Sequence, residues 1–170
     1  MSSENKPRVS RKIAWSYMGL TIFVYIVAVF FAYVWLYTPM GLEGLGASIV
    51  TGLVGVIILL ILRSFYQTRY ILDEGGLVIT TTRLIGGDKV VPLDSVESVE
   101  KTLIPAGIKL FGASFHGGYY KIPGLGRAFL AITNFENGLL LKTTKGNFII
   151  NPRNPTKFKE KIELKTRQKE

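Results

Sequence analysis

The stretch IAWSYMGLTIFVYIVAVFFAYVWLYTPMGLEGLGASIVTGLVGVIILLIL, residues 13–62, decides how this chain is built. Within it Glu43 is the one Asp, Glu, Lys, Arg or His, and it falls in a Gly-rich interruption between two apolar runs. The first run, 13–37, has 25 residues without a charge, against the roughly 20 needed to cross a hydrocarbon core about 30 Å thick. Trp15 and Trp35 are 20 residues apart, which a helix converts to about 30 Å along its axis. Tyr17, Tyr33 and Tyr37 complete an aromatic belt at each end. A cleaved signal peptide would have an apolar region of only roughly 7 to 15 residues, and a buried core helix explains neither the length nor the ends.

The second run, 45–62, begins with small residues. Ala47, Thr51 and Gly55 recur every fourth position, as do Ser48 and Gly52, so one side of this helix admits a close neighbour. The first helix is the available neighbour, with dimerisation through the same face as the alternative. The reading is a transmembrane hairpin, 13–62, with spans at 13–37 and 45–62 and Glu43 solvated in the connection. Lys6, Arg8, Arg11 and Lys12 precede the first span, Arg63 and Arg69 follow the second, and the connection has no Lys or Arg. By the positive-inside rule this predicts a multi-pass cell-membrane protein with both termini cytoplasmic.

Outward from the hairpin, residues 1–12 are polar with no apolar period and read as a disordered cytoplasmic tail. The net charge of +9 divides into +3 over 1–12, −1 over the connection and +7 over 63–170. An anionic membrane surface is the natural counter-charge, and no nucleic-acid partner is expected. The chain has no cysteine, which excludes disulfides, thiolate metal sites and thiol nucleophiles.

After residue 62 the pattern changes to short strands separated by turn signals. Tyr66 to Leu72, Leu77 to Arg83, Lys89 to Leu93 and Val96 to Leu103 read as strands, with Asp73-Glu74-Gly75-Gly76 and Gly86-Gly87-Asp88 as turns. Residues 104–126 hold six glycines and two prolines and read as a long loop with a short strand at Tyr119 to Ile122. Loops of this length are often functional. Ile108, Phe111, Phe115, Tyr119 and Tyr120 either fill the core or dock on a partner or the membrane interface. Arg127 to Thr133, Leu139 to Thr143 and Asn147 to Asn151 follow as strands, the last two joined by a tight hairpin. Asn154 as N-cap and Pro155 at the first helical position start a closing helix, 155–165, with Phe158 and Ile162 on one face. Its other faces carry Lys157, Lys161 and Lys165, candidate contacts for anionic lipid, and 166–170 is a basic tail.

Several segments together carry a resemblance. They are Val91-Pro92-Leu93-Asp94-Ser95-Val96, the run Tyr119 to Gly126, Leu140-Leu141-Lys142-Thr143 with Gly146, and Ile149-Ile150-Asn151-Pro152 ahead of Asn154 to Phe158. Over roughly 66–164 the chain resembles the prokaryotic membrane-anchored pleckstrin-homology-like (PH-like) family. The resemblance implies a mainly-β domain over 63–165, about seven antiparallel strands in two sheets with a C-terminal helix, and a non-enzymatic role. Lipid-binding eukaryotic PH domains carry basic residues at the first hairpin turn, where this chain has Asp73 and Glu74, and a tryptophan in the closing helix, where it has Phe158.

No catalytic, cofactor or metal site is expected. His116 is the only histidine, and Gly124-Leu125-Gly126 fails as a dinucleotide fingerprint because Phe129 occupies the third glycine position. Three functions follow in order: a non-enzymatic binding or scaffolding module at the inner membrane surface, holding a protein partner or its own copies; an anionic-lipid sensor using the basic helix; and an unrecognised enzyme.

Overall fold

The computed structural model describes residues 3–7, 9–38, 41–83, 86–112 and 116–168. It resolves into two units, residues 11–63 and a β unit formed by the residues up to Ser10 together with those from Ser64.

The first unit is a pair of helices, α1 (Arg11–Tyr37) and α2 (Gly41–Gln67), whose last turn belongs to the β unit. Both are long and apolar enough to cross a membrane, with mean hydropathy of 2.3 and 2.7. Two of the small residues that the spacing singles out, Ser48 and Gly55, face α1, and Gly44 joins them. A Cβ on Gly55 would lie 3.1 Å from the Tyr25 ring and one on Gly44 3.0 Å from the Trp35 Cβ. Between them Ser48 Oγ donates to the Ala28 carbonyl at 3.0 Å. Gly44, Ser48 and Gly55 thus form the close-packing stripe. Gly52, expected on that side, has open space around it.

The β unit has two sheets. The first is built in the order β1 (Ser3–Asn5), β2 (Arg69–Leu72), β3 (Gly76–Thr80), β4 (Lys89–Pro92). The second runs β5 (Val96–Leu103), β9 (Asn137–Thr143), β10 (Gly146–Ile150), β8 (Gly126–Ala131), β7 (Gly117–Ile122), β6 (Ile108–Phe111). Pairing is antiparallel except for β8 and β10, which run parallel because β9 and its two-residue hairpin carry the chain back beside β8. Helix α3 (Pro155–Arg167) follows, its first turn capped by Asn154, whose Oδ1 accepts the Lys157 N–H at 3.2 Å, with Pro155 at the first position.

One core joins the two sheets and the helix: Tyr70 and Leu72 from β2, Leu77 and Ile79 from β3, Phe129 from β8, Leu139 and Leu141 from β9, Phe158 and Ile162 from α3. The opposite face of the larger sheet is buried too, with Tyr120, Ile122, Leu130, Leu140 and Ile149 packed beside Ile104 and Leu125. This double burial explains why Ala128 to Ile132 is a continuous apolar run rather than an alternating one. Inside the first core Tyr70 anchors a polar node. Its hydroxyl donates to the Ala131 carbonyl at 2.6 Å, the Asn151 N–H reaches it at 3.3 Å, and Asn151 Oδ1 accepts the Thr133 N–H at 3.0 Å.

Five expectations are corrected. Glu43 lies in the first turn of α2 rather than in the connection, and the closing helix runs to Arg167 rather than ending at 165 before a tail. Ser3–Asn5 is not a disordered tail but an edge strand, pairing Ser3–Leu72 through Asn5–Tyr70, with Asn5 Oδ1 accepting the Arg153 N–H at 3.1 Å. Backbone pairing needs no apolar period, so a polar tripeptide leaves no trace of it in the sequence. Tyr66 and Gln67 continue α2 rather than opening a strand, and Tyr66 lies exposed while Tyr70 and Leu72 are buried. The span 104–126 contains β6, hidden in the sequence by Gly107 and Gly112 on either side.

Candidate functional site

Strand β6 is the outer edge of the six-stranded sheet, paired with β7 alone. The register sets Ile108 opposite Lys121, Lys109 opposite Tyr120 and Phe111 opposite Tyr119, with a shift between Lys109 and Phe111. That bulge is accommodated by Gly118, whose φ of +107° and missing Cβ let the Phe111 carbonyl approach the β7 backbone. A side chain there would collide with that carbonyl.

The strand carries apolar side chains that no described residue covers: Ile108 is 72% exposed, Leu110 52% and Phe111 66%. Ile108 and Phe111, opposite Lys121 and Tyr119, share one face of the sheet, while Lys109 on the other is half-buried against Tyr120, so this edge projects as a one-sided apolar rib. Beside it lies a cleft of about 640 Å³ lined by Ala106, Ile108, Ile122, Pro123 and three glycines, with Lys121 its one charged residue.

Cations surround the rib. Lys121 and Arg127 are directly paired across β7 and β8, both exposed. The Arg127 guanidinium stands 4.4 Å from the Tyr119 ring centroid, and Lys89 Nζ reaches in from β4 to 5.6 Å from Tyr119 and 5.4 Å from Phe129. Lys109 lies 5.7 Å from the Tyr120 ring centroid, and its partial burial pushes its ammonium pKa down. Such stacking holds a cation in place at about 0.5–1 kcal/mol where the pair is exposed. None of the ion pairs Lys6–Glu4, Arg69–Glu4, Lys142–Glu100 and Lys159–Glu163 involves Lys89, Lys121 or Arg127.

The residues singled out from the sequence are scattered by the fold. Phe111 is on the exposed rib; Tyr119 is half-buried, edge-on to Phe129 at 5.1 Å; Tyr120 is buried in the second core. Phe115 lies outside the described residues. Lys157 and Lys161 are exposed and Lys165 is half-buried, all on α3, which packs against β5 and β9. Strands β5 and β6 are opposite edges of a six-stranded sheet, about 24 Å apart if it were flat. The aromatic and the basic halves of the expected contact surface are thus not brought together. Leu110, Lys89 and Arg127, which sequence reasoning passed over, sit with Phe111 instead. Only the Ile108-Lys109-Leu110 alternation could have flagged Leu110, and no sequence signal places Lys89 against a residue thirty positions later.

His116, just before β7, is buried between Phe65 and Phe135, each 4.6 Å away between ring centroids. Burial, with a smaller contribution from the Lys109 ammonium, pushes its pKa down to about 4. It is held neutral near pH 7. Among the described residues no three His, Asp or Glu side chains gather as a metal ion would require.

A family model described as Bacterial PH domain matches residues 68–166, from the residue before β2 to the last turn of α3. Neither a curated protein nor a solved structure matches the chain.

Proposed function

We propose, on the premise that this chain belongs to the bacterial PH domain family, that it is a membrane-anchored, non-enzymatic binding module. In this reading α1 and α2 form a hairpin anchor and the β unit works at the inner membrane surface, with both termini cytoplasmic. One observation carries the reading: a single residue, Thr68, separates α2 from β2. A helix with the length and composition of a membrane span therefore runs almost directly into the first strand of the family domain, which keeps the domain beside the bilayer.

The rib and cleft at β6 support binding rather than chemistry. Their surface is apolar with fixed cations, and the cleft lining offers one titratable group, Lys121, where acid–base catalysis ordinarily needs a pair with separated pKa values. Occupants consistent with a scaffold are a protein partner or a second copy of the chain. A second reading makes α3 an anionic-lipid contact. Its support is the exposure of Lys157 and Lys161 beside an exposed Leu164, although Glu160 and Glu163 interrupt the charge and Glu163 pairs with Lys159 at 3.4 Å.

Reporter fusions at residue 42 and after residue 170, together with alkaline carbonate extraction of the full chain, test the anchor. The chain should stay with the membrane and the C-terminal reporter should be cytoplasmic. Release by carbonate, or an external C-terminus, would overturn it. Replacing Lys157, Lys161 and Lys165 with Gln tests the second reading, which fails if the domain's association with anionic vesicles is unchanged.

A further inference from the structure

We infer that the free edge of the larger sheet, the rib Ile108, Leu110 and Phe111 with its flanking Lys121 and Arg127, is the face by which the domain rests on an anionic bilayer surface. The inference rests on the membrane-anchored reading and adds which face is turned to the lipid.

Three occupants could cover an exposed apolar edge. A second copy joining edge to edge about the middle of the strand would bring Lys109 of one rib beside Lys109 of the other, a like-charge contact that opposes pairing. An extended peptide adding to β6 would meet the bulge between Lys109 and Phe111 and the lysine itself, both of which are devices that blunt strand addition. A bilayer interface needs no strand register. It takes apolar side chains at the boundary between headgroups and acyl chains and cations at the phosphates, the two kinds of group present here.

Charge complementarity supports the same occupant. From Lys101 to Phe135 the chain has Lys101, Lys109, Lys121 and Arg127 and no Asp or Glu. Helix α3, the other basic surface, alternates its lysines with acids and presents only Leu164 as a large exposed apolar residue. The β6 edge offers three such residues in four positions. Proximity to the membrane supplied by the anchor raises the effective concentration, so modest attraction suffices to orient the domain.

The natural chain has no cysteine, so single substitutions can be labelled cleanly. Full-length Ala106→Cys, on the exposed connection into β6, and Thr156→Cys, on the exposed first turn of α3, would each carry an environment-sensitive fluorophore. Both chains would be reconstituted into vesicles of phosphatidylcholine with or without phosphatidylglycerol. In anionic vesicles the label at 106 should shift to the blue, be quenched by nitroxide lipid and resist iodide, while the label at 156 stays accessible to iodide. Lys121→Gln with Arg127→Gln should lower the docked-to-free ratio by roughly thirtyfold, from about a fivefold effect per cation at an anionic leaflet. Equal iodide access at 106 and 156 in a chain that resists carbonate extraction overturns the docking and leaves the anchor standing. Carbonate release overturns the anchor and the docking together. Shielding at 156 instead of 106, or equal shielding at 106 in neutral vesicles, overturns the assignment of an electrostatic β6 face.

Discussion

Replacing Tyr70 with Phe removes one oxygen from the most enclosed polar node of the β unit. The aromatic ring stays, packed near Phe158 at 6.3 Å between centroids, so the change is electrostatic rather than volumetric. The lost hydroxyl donates to the Ala131 carbonyl at 2.6 Å and accepts from the Asn151 N–H at 3.3 Å, and both lie where water does not reach. A buried group left without its partner costs about 1–3 kcal/mol, and two such groups put the expected loss at about 2–6 kcal/mol. For a domain of this size that corresponds to a fall of roughly 10–40 °C in Tm. The transition should be followed by near-ultraviolet circular dichroism of the full chain in mild detergent, because both tryptophans, Trp15 and Trp35, lie in α1 and do not report on the sheets. The same substitution has a pH signature. Burial holds the Tyr70 pKa well above its ordinary 10.0, so above pH 10 the unfolded chain gives up a proton that the folded one keeps. Stability that is complete below pH 10 should then be lost at up to about 1.4 kcal/mol per pH unit, and Tyr70→Phe should lose that dependence. A Tm within a degree of the natural protein would refute the reasoning, because it would mean that the node contributes nothing.

Three further outcomes are expected. His116, whose folded pKa of about 4 lies below its ordinary 6.5, makes stability complete above pH 6.5 and progressively lost as pH falls toward 4, by up to about 3 kcal/mol; His116→Leu should flatten that limb in acid titrations of Tm. Gly76→Val should abolish folding of the β unit or cost at least about 3 kcal/mol, because a Cβ there would stand 2.6 Å from the Val91 carbonyl oxygen across the β3–β4 pair, and amide exchange should show both strands losing protection. Asn154→Ala should cost about 1 kcal/mol through loss of the helix cap, while Asn154→Ser restores most of it in the same thermal assay.

The closing helix was legible because a local rule governs each of its parts. Asn154 caps, Pro155 starts, and Phe158 and Ile162 are one turn apart and both buried. The tight turn at Asp73 was legible for the same reason, its carboxylate accepting the Gly75 and Gly76 N–H groups at 2.8 Å each. The candidate site was only half legible. Phe111 stood out as an aromatic among glycines, but exposure decides whether such a residue binds or fills, and the sheet decides exposure. Tyr119 and Tyr120 are neighbours in sequence, yet the alternation of a strand sends Tyr119 toward Phe129 and Tyr120 into the opposite core. Lys89 and Arg127 became part of the site through pairings across β7, β8 and the other sheet.

What the sequence by itself determined is everything that depends on runs and near neighbours: two apolar helices set by length and the absence of charge, small residues of α2 against bulky ones of α1, short strands broken by turn residues, and a capped final helix. What only the tertiary structure decided is everything that depends on pairing between distant segments. Backbone hydrogen bonds are indifferent to side-chain identity, so nothing in Ser3-Glu4-Asn5 announces that it will complete the first sheet beside β2. Nor does anything in Ile108 to Phe111 announce that it will be the last strand of the second sheet, with no further strand beside it among the described residues. The edge of a sheet is a property of strand order, and strand order is set by which faces can be buried together.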